Sequence, residues 1–302
     1  MLIREILQQR QPAFSFEFFP PKDDAAAELL FHTIADLMPL KPASVSITYG
    51  AGGSTRDRTR QLAVRLARET DLTVVAHLTC LGADRDEIAG ILREYDRQRI
   101  YNILALRGEP PKGSPSALKS GMVFPRAADL VAFIKDNFPH FGIGVAGFPE
   151  GHPATPNRLR EIDYLKAKVD AGADYIVTQM FFDNREFYDF RERCELAGIH
   201  VPIIAGLMPV TTRAGLARMA ELSGGTRFPA ALLRSVQRAA DDDAVARLGT
   251  HWATEQVRDL LDHGARGVHF YTLNRARATR QIYETLGLDG GEGKSRKLKT
   301  ES

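Results

Sequence analysis

The chain has 302 residues, 44% of them hydrophobic, enough for one large domain with a sizeable core. Forty basic residues stand against 38 acidic ones, and a net charge of +2 gives no global field that would recruit nucleic acid or an anionic membrane. No apolar run is long enough to span a bilayer, the charged segment 1–11 does not read as a secretory signal, and Cys80 and Cys194 fit no metal or redox spacing, so a reducing cytoplasm is expected.

Along the chain, short β-rich runs alternate with amphipathic helical stretches. The predicted strands are 13–18, 44–49, 72–79, 100–106, 142–148, 174–180, 202–208 and 267–272. Most are nearly continuous apolar runs, as in parallel strands covered outside by helices. Their starts lie mostly about 30 residues apart, the length of one βα repeat. In the first helical stretch, 25–38, Leu29, Leu30, Ile34 and Leu37 form an apolar stripe behind Asp23-Asp24. In 157–171, Leu159, Ile162, Leu165 and Val169 do the same behind Asn157, and Gly172 ends the helix. The spacing doubles before the last strand, leaving room for additional helices at 211–222, 229–239 and 243–264. The polar tail 287–302 has the composition of a disordered segment, and no further domain is expected. Its GGEGKS is not a phosphate-binding loop, because Leu288 stands where the first glycine is required. The expected fold is a single (βα)8 TIM barrel over residues 1–286 with additional helices between strands seven and eight. A doubly wound open sheet is the alternative, but no G-x-G-x-x-G follows the first strand.

In such a barrel, chemistry sits at the C-terminal ends of the strands. Glu17 lies near the end of an aromatic-rich strand, so its carboxyl must find a cation or have its pKa raised, and a raised pKa suits a general acid. The competing reading is an interior glutamate paired with an arginine. Arg107 and Gly108 follow the fourth strand, where Arg107 can grip phosphate and Gly108 admits close approach of backbone. Segment 50–55, after the second strand, offers backbone N–H donors at a helix start. His77 and His152 read equally as core histidines, and no spacing predicts a metal. Glu161, Tyr164 and Lys168 share a helix face, which alone reads as a solvated stripe. Gln179 offers a bidentate amide at the mouth, or a core amide bonded to backbone.

The strings FSFEFFPPK (14–22), SITYGAGGSTRDRT (46–59), AHLT (76–79), ALRGEPP (105–111), FPEGHP (148–153), KAKVDAGADYIVTQMFFD (166–183) and FYTLNRA (270–276) resemble, in order, the bacterial methylenetetrahydrofolate reductases. The resemblance implies an FAD-carrying barrel that passes a hydride from NADH or NADPH to 5,10-methylenetetrahydrofolate by a ping-pong mechanism, in a protein that assembles as a homo-oligomer. Glu17 matches the family's proton donor, Gln179 a residue that meets the pterin and the nicotinamide, and Arg275 a contact to the folate's glutamate portion. Thr48, Tyr49, Ala51, His77, Arg107, Gly108, Ala127, His152 and Lys168 fall on flavin positions. The resemblance thus implies that Arg107 and Lys168 balance pyrophosphate charge.

Four positions in or beside that set depart from the family pattern. Glu109 replaces an aspartate near flavin and folate, Phe148 a tyrosine against the flavin, Glu161 an aspartate, and Arg126 a tyrosine. Gly215 and Met219 stand where a glutamine and a phenylalanine contact folate. A folate-binding methyltransferase without FAD, or a degenerate barrel without enzymatic activity, are the alternatives.

Overall fold

The computed structural model describes residues 1–48, 56–108, 123–155, 157–223 and 225–288. Eight parallel strands close a barrel in chain order: β1 (Ala13–Phe18), β2 (Ser44–Ile47), β3 (Val74–Thr79), β4 (Asn102–Leu106), β5 (Gly142–Gly147), β6 (Tyr175–Thr178), β7 (Ile203–Leu207) and β8 (Gly267–Tyr271). Their bounds fall within two residues of the sequence expectation. Pairing of β8 with β1 seals the barrel and sets Glu17 beside Tyr271. The open-sheet alternative is thereby excluded.

Around the strands lie α2 (Asp24–Leu37), α3 (Arg56–Glu69), α4 (Arg85–Arg97), α5 (Ala127–Asn137), α6 (Arg158–Asp170), α7 (Asn184–Leu196) and α11 (Arg277–Leu286). Three more, α8 (Arg213–Ser223), α9 (Ala230–Arg238) and α10 (Asp242–Asp262), fill the interval between β7 and β8 where additional helices were expected. Alternate strand residues face opposite sides. In β1, Phe14 and Phe16 turn outward onto Tyr283 of α11, with ring centroids 5.1 and 6.0 Å apart, while Ser15 and Glu17 turn inward. Asp23 caps α2 by accepting the Ala26 N–H, and Leu30, Ile34 and Leu37 are buried. Leu29 and Leu159, expected in the apolar stripes, face solvent instead, at 67% and 75% exposure. Leu29 lies one residue off the row formed by Leu30, Ile34 and Leu37, and Leu159 sits in the first turn of α6.

One helix was not expected, α1 (Ile3–Gln9), which closes the N-terminal end of the barrel. Its Ile3, Ile6 and Leu7 pack with Val75, Leu104, Tyr175 and Ile204. The Asn102 side chain accepts the Ile3 N–H at 2.9 Å and donates to Met1 O at 3.1 Å, completing the floor. No helix among the described residues is long and apolar enough to cross a membrane. Residues 289–302 lie outside the described residues.

Candidate active site

At the other end, the C-terminal ends of the strands open into a cavity of about 1150 Å³. Glu17 reaches it from β1, Thr48 from just after β2, and His77 from β3. Arg107 and Gly108 follow β4, Phe148 and His152 follow β5, and Gln179 follows β6. Ala127 enters at the first turn of α5, and Glu161 and Lys168 from α6. Arg275 does not line this space. It lies exposed beyond β8, with its backbone N–H on Thr272 O. Tyr49, Ala51 and Glu109, with the rest of segment 50–55, fall outside the described residues.

Glu17 is 6% exposed and sits in a polar chamber inside an otherwise apolar barrel. His269 Nε2 lies 3.3 Å from Glu17 Oε2, and Ser46 Oγ donates to the same oxygen at 3.4 Å. His77 Nε2 stands 3.4 Å away, an electrostatic contact outside hydrogen-bond geometry. Burial alone would raise the carboxyl, but contacts from His269 and His77 outweigh it and hold the group down to about 2. The expectation of a raised pKa is therefore corrected. The partner required by burial is a pair of histidines, and among the described residues no arginine pairs with Glu17. The backbone around it is fixed as well, since Thr272 Oγ1 donates to Glu17 O at 2.6 Å.

Across the cavity stand Lys168 and Glu161 of α6. Lys168 Nζ donates to Ala146 O at 2.6 Å and has no carboxylate in salt-bridge range among the described residues. Burial lowers it to about 8, partly opposed by Glu161. Glu161 is raised by its own burial, and its Oε2 has no hydrogen-bond partner among the described residues. The face carrying Glu161, Tyr164 and Lys168 is thus a cavity wall, not a solvated stripe. Arg126 covers Tyr164, its guanidinium 4.3 Å from the ring centroid. The His152 ring meets Phe148 edge-on at 4.7 Å. Gln179 Oε1 accepts the Met180 N–H at 3.0 Å, which fixes the amide at the wall.

Sequence reasoning passed over His269, Ser15, Ser46 and Ser223. Strand parity carried a signal for three of them. Ser15 is two residues before Glu17 and His269 two before Tyr271, so each shares the inward face, and Ser46 pairs with Glu17 across β1 and β2. Ser223 gave no signal, because its place on the cavity wall depends on how α8 lies over the mouth. Its hydroxyl is buried and without a hydrogen-bond partner among the described residues, as is that of Thr48. Gly215 and Met219 of α8 also line the cavity.

Comparison with known proteins places this geometry. The family model described as methylenetetrahydrofolate reductase matches residues 2–287. The 5,10-methylenetetrahydrofolate reductases of Escherichia coli and Salmonella typhimurium are each 40% identical over 285 residues, covering 94% of this chain and 93% of theirs. Methylenetetrahydrofolate reductase (NADH) 1 of Arabidopsis thaliana is also 40% identical, over 297 residues and 95% of this chain, but the chain spans only 50% of that protein. A Clostridium thermocellum protein solved with two copies of 5-methyl-5,6,7,8-tetrahydrofolic acid has a TM-score of 0.64 at 16% identity, covering 95% of this chain and 96% of that one. At that identity the likeness shows the shared barrel alone. With a match that runs through every strand and every described wall of the cavity, this chain belongs to the methylenetetrahydrofolate reductase family.

Proposed function

We propose that this barrel holds FAD at its mouth and passes a hydride from NADH or NADPH to 5,10-methylenetetrahydrofolate, giving 5-methyltetrahydrofolate in a ping-pong cycle. The observation that carries this reading is one cavity that brings a buried carboxylate together with the cations Arg107 and Lys168 and with buried polar atoms that have no hydrogen-bond partner among the described residues. The residues present fit FAD. Arg107 and Lys168 supply two positive charges for a pyrophosphate, and an anion beside Lys168 would favour the charged form that burial disfavours. The unpartnered hydroxyls of Thr48 and Ser223 are buried donors that a polar ring edge would satisfy. Gly108 has φ of +87°, and a Cβ there would meet Thr79 Cβ at 3.1 Å, so only glycine brings this backbone so close. The chemistry FAD supplies when bound is storage of a hydride between two substrates that use the site in turn.

Glu17 is the proton donor in this reading. It protonates the nitrogen that leaves when the methylene bridge opens, an effect worth about 10²–10⁴ in rate. Gln179, fixed at the wall, meets the pterin and the nicotinamide. In this reading Arg275, exposed beyond β8, contacts the glutamate portion of the folate.

The test is the purified protein. It is expected to be yellow, to bleach anaerobically with NADH or NADPH, and to recover its colour on adding 5,10-methylenetetrahydrofolate. Glu17→Gln is expected to slow the folate half-reaction by about 10²–10⁴ and the nicotinamide half-reaction far less. Colourless protein that cannot take up FAD would favour a folate-binding methyltransferase, and equal slowing of both half-reactions would leave Glu17 a structural group.

A further inference from the structure

A cation stands at position 126, where the family pattern has a tyrosine. Arg126 directly precedes α5 and lines the cavity beside Ala127 and Ala128 of the first turn. Its guanidinium lies over the ring of Tyr164, 4.3 Å from the centroid. Its backbone N–H donates to Asp129 Oδ2 at 2.7 Å, so the main chain makes the capping bond and the side chain takes no part in it. Among the described residues no carboxylate is in salt-bridge range of the guanidinium.

Stacking uses the face of a guanidinium and leaves its N–H donors directed outward in the plane of the group. That edge suits a phosphate, which can take two parallel N–H bonds from it. The neighbours of Arg126 favour an anion as well. Cys80 Sγ lies 3.7 Å from Arg107 O and 3.8 Å from Arg126 O, so one buried side chain holds the two arginine-bearing segments together. Tyr164 stands one helical turn before Lys168 on the same face of α6, and both line the cavity. Arg107, Arg126 and Lys168 thus share one sector of the wall, carried by the loop after β4, the residue before α5, and α6. Lys168 reaches inward to Ala146 O of β5, whereas Arg126 is exposed. Glu161 is on the same face of α6, but burial favours its neutral form, which weakens its opposition to an anion.

We propose that Arg126, seated on Tyr164, is a phosphate-binding residue of this cavity, and that the phosphate it takes belongs to the diphosphate of FAD. This rests on the flavin reading of the site. Arg126 adds its charge to those of Arg107 and Lys168. Tyr164 is its shelf: the ring restricts a long side chain before the phosphate arrives, so less rotamer freedom is lost on binding. The extra phosphate of NADPH offers the same chemistry from a second source, and the test separates the two.

The test is FAD binding to the flavin-free full chain, read by flavin fluorescence at low and high salt. Arg126→Gln is expected to weaken FAD by about tenfold at low salt, the worth of a charge-assisted hydrogen bond. The difference should shrink as salt rises, because the guanidinium is exposed. Arg126→Lys keeps the charge without the planar fork and should fall between the two. Tyr164→Leu is expected to weaken FAD by roughly two- to fivefold, and Tyr164→Phe, which keeps the ring, to leave it unchanged. Thermal unfolding of the flavin-free variants should match the wild type, and the ratio of KM values for NADPH and NADH should not move in Arg126→Gln. Unchanged FAD affinity in Arg126→Gln would overturn the proposal. A loss that salt does not alter would overturn it too, leaving Arg126 a packing group. A loss confined to NADPH would overturn the assignment to FAD and give the phosphate to the nicotinamide cofactor. A wild-type chain that takes up no flavin would end the flavin reading and this proposal with it, whereas tight FAD binding by wild type and variant alike would end this proposal alone.

Discussion

The floor and the mouth of this barrel are built from the same eight strands, yet they treat polar groups in opposite ways. At the floor, Asn102 pairs with the backbone of Ile3 and Met1. Asp174 gathers Arg4, Lys135 and the Ile143 N–H. These contacts complete α1 and the starts of strands. At the mouth, the Thr48 and Ser223 hydroxyls and Glu161 Oε2 have no partner, and Lys168 has no carboxylate in salt-bridge range among the described residues. Buried polar atoms are rarely left unsatisfied in a finished structure, which supports the proposal that a bound ligand completes the mouth. Tyr175 at the floor and Tyr283 outside the barrel are exceptions. Neither hydroxyl has a hydrogen-bond partner among the described residues, and the Tyr175 ring fills a notch where a Cβ on Gly144 would come within 2.4 Å.

The largest effect that separates the two ends is expected at the floor. Leu7, 2% exposed under the barrel, should cost about 2–5 kcal/mol when cut to alanine. Thermal unfolding reads that loss, while flavin affinity should stay unchanged. A parallel fall in flavin affinity would show that floor and mouth are coupled, and the contrast would fail.

A smaller effect of opposite sign is expected at Lys168. Its folded value of about 8 lies below the ordinary 10.5, so burial of its ammonium opposes folding below pH 8. That penalty fades as pH rises from 8 to 10.5, and flavin-free protein should gain stability from this group across that window. Lys168→Met should remove the gain, stabilise flavin-free protein at pH 7, and weaken FAD binding. Urea midpoints measured against pH decide it. If the variant is the less stable one without flavin, Lys168 is a structural donor to Ala146 O and not a ligand for phosphate.

The barrel was legible because both faces of its strands are covered, which leaves near-continuous apolar runs bounded by helices. Glu17 was legible for the opposite reason, as a carboxylate where nothing polar belonged. The direction of its shift was not. His269 lies 252 positions away and reaches Glu17 only because β8 closes onto β1. The helix α1 escaped notice because its seven residues carry too short a periodicity, and Ile3, Ile6 and Leu7 have a purpose only once the floor is known. Spacing alone placed Glu161, Tyr164 and Lys168 on one face but could not say whether that face met water or a cavity. The family motifs around Lys168 pointed to the cavity.

Thr48 offers the finest test of the contrast, because a single atom separates the two outcomes. Its hydroxyl is buried without a hydrogen-bond partner among the described residues. Its backbone is engaged independently, the N–H on Phe18 O and the carbonyl accepting from Thr59 Oγ1 at 2.9 Å. Valine keeps the branched shape and both backbone bonds, and removes only the orphaned oxygen. If that oxygen belonged to the fold, Thr48→Val would destabilise flavin-free protein. If it belongs to a ligand, the empty protein should be unchanged or stabilised by up to about 1 kcal/mol, since a desolvated hydroxyl has been removed. FAD affinity should then fall by roughly two- to tenfold, the worth of one neutral hydrogen bond. Unfolding of the flavin-free protein and a flavin titration, run side by side, give the two signs, and only opposite signs are consistent with a mouth built around a ligand.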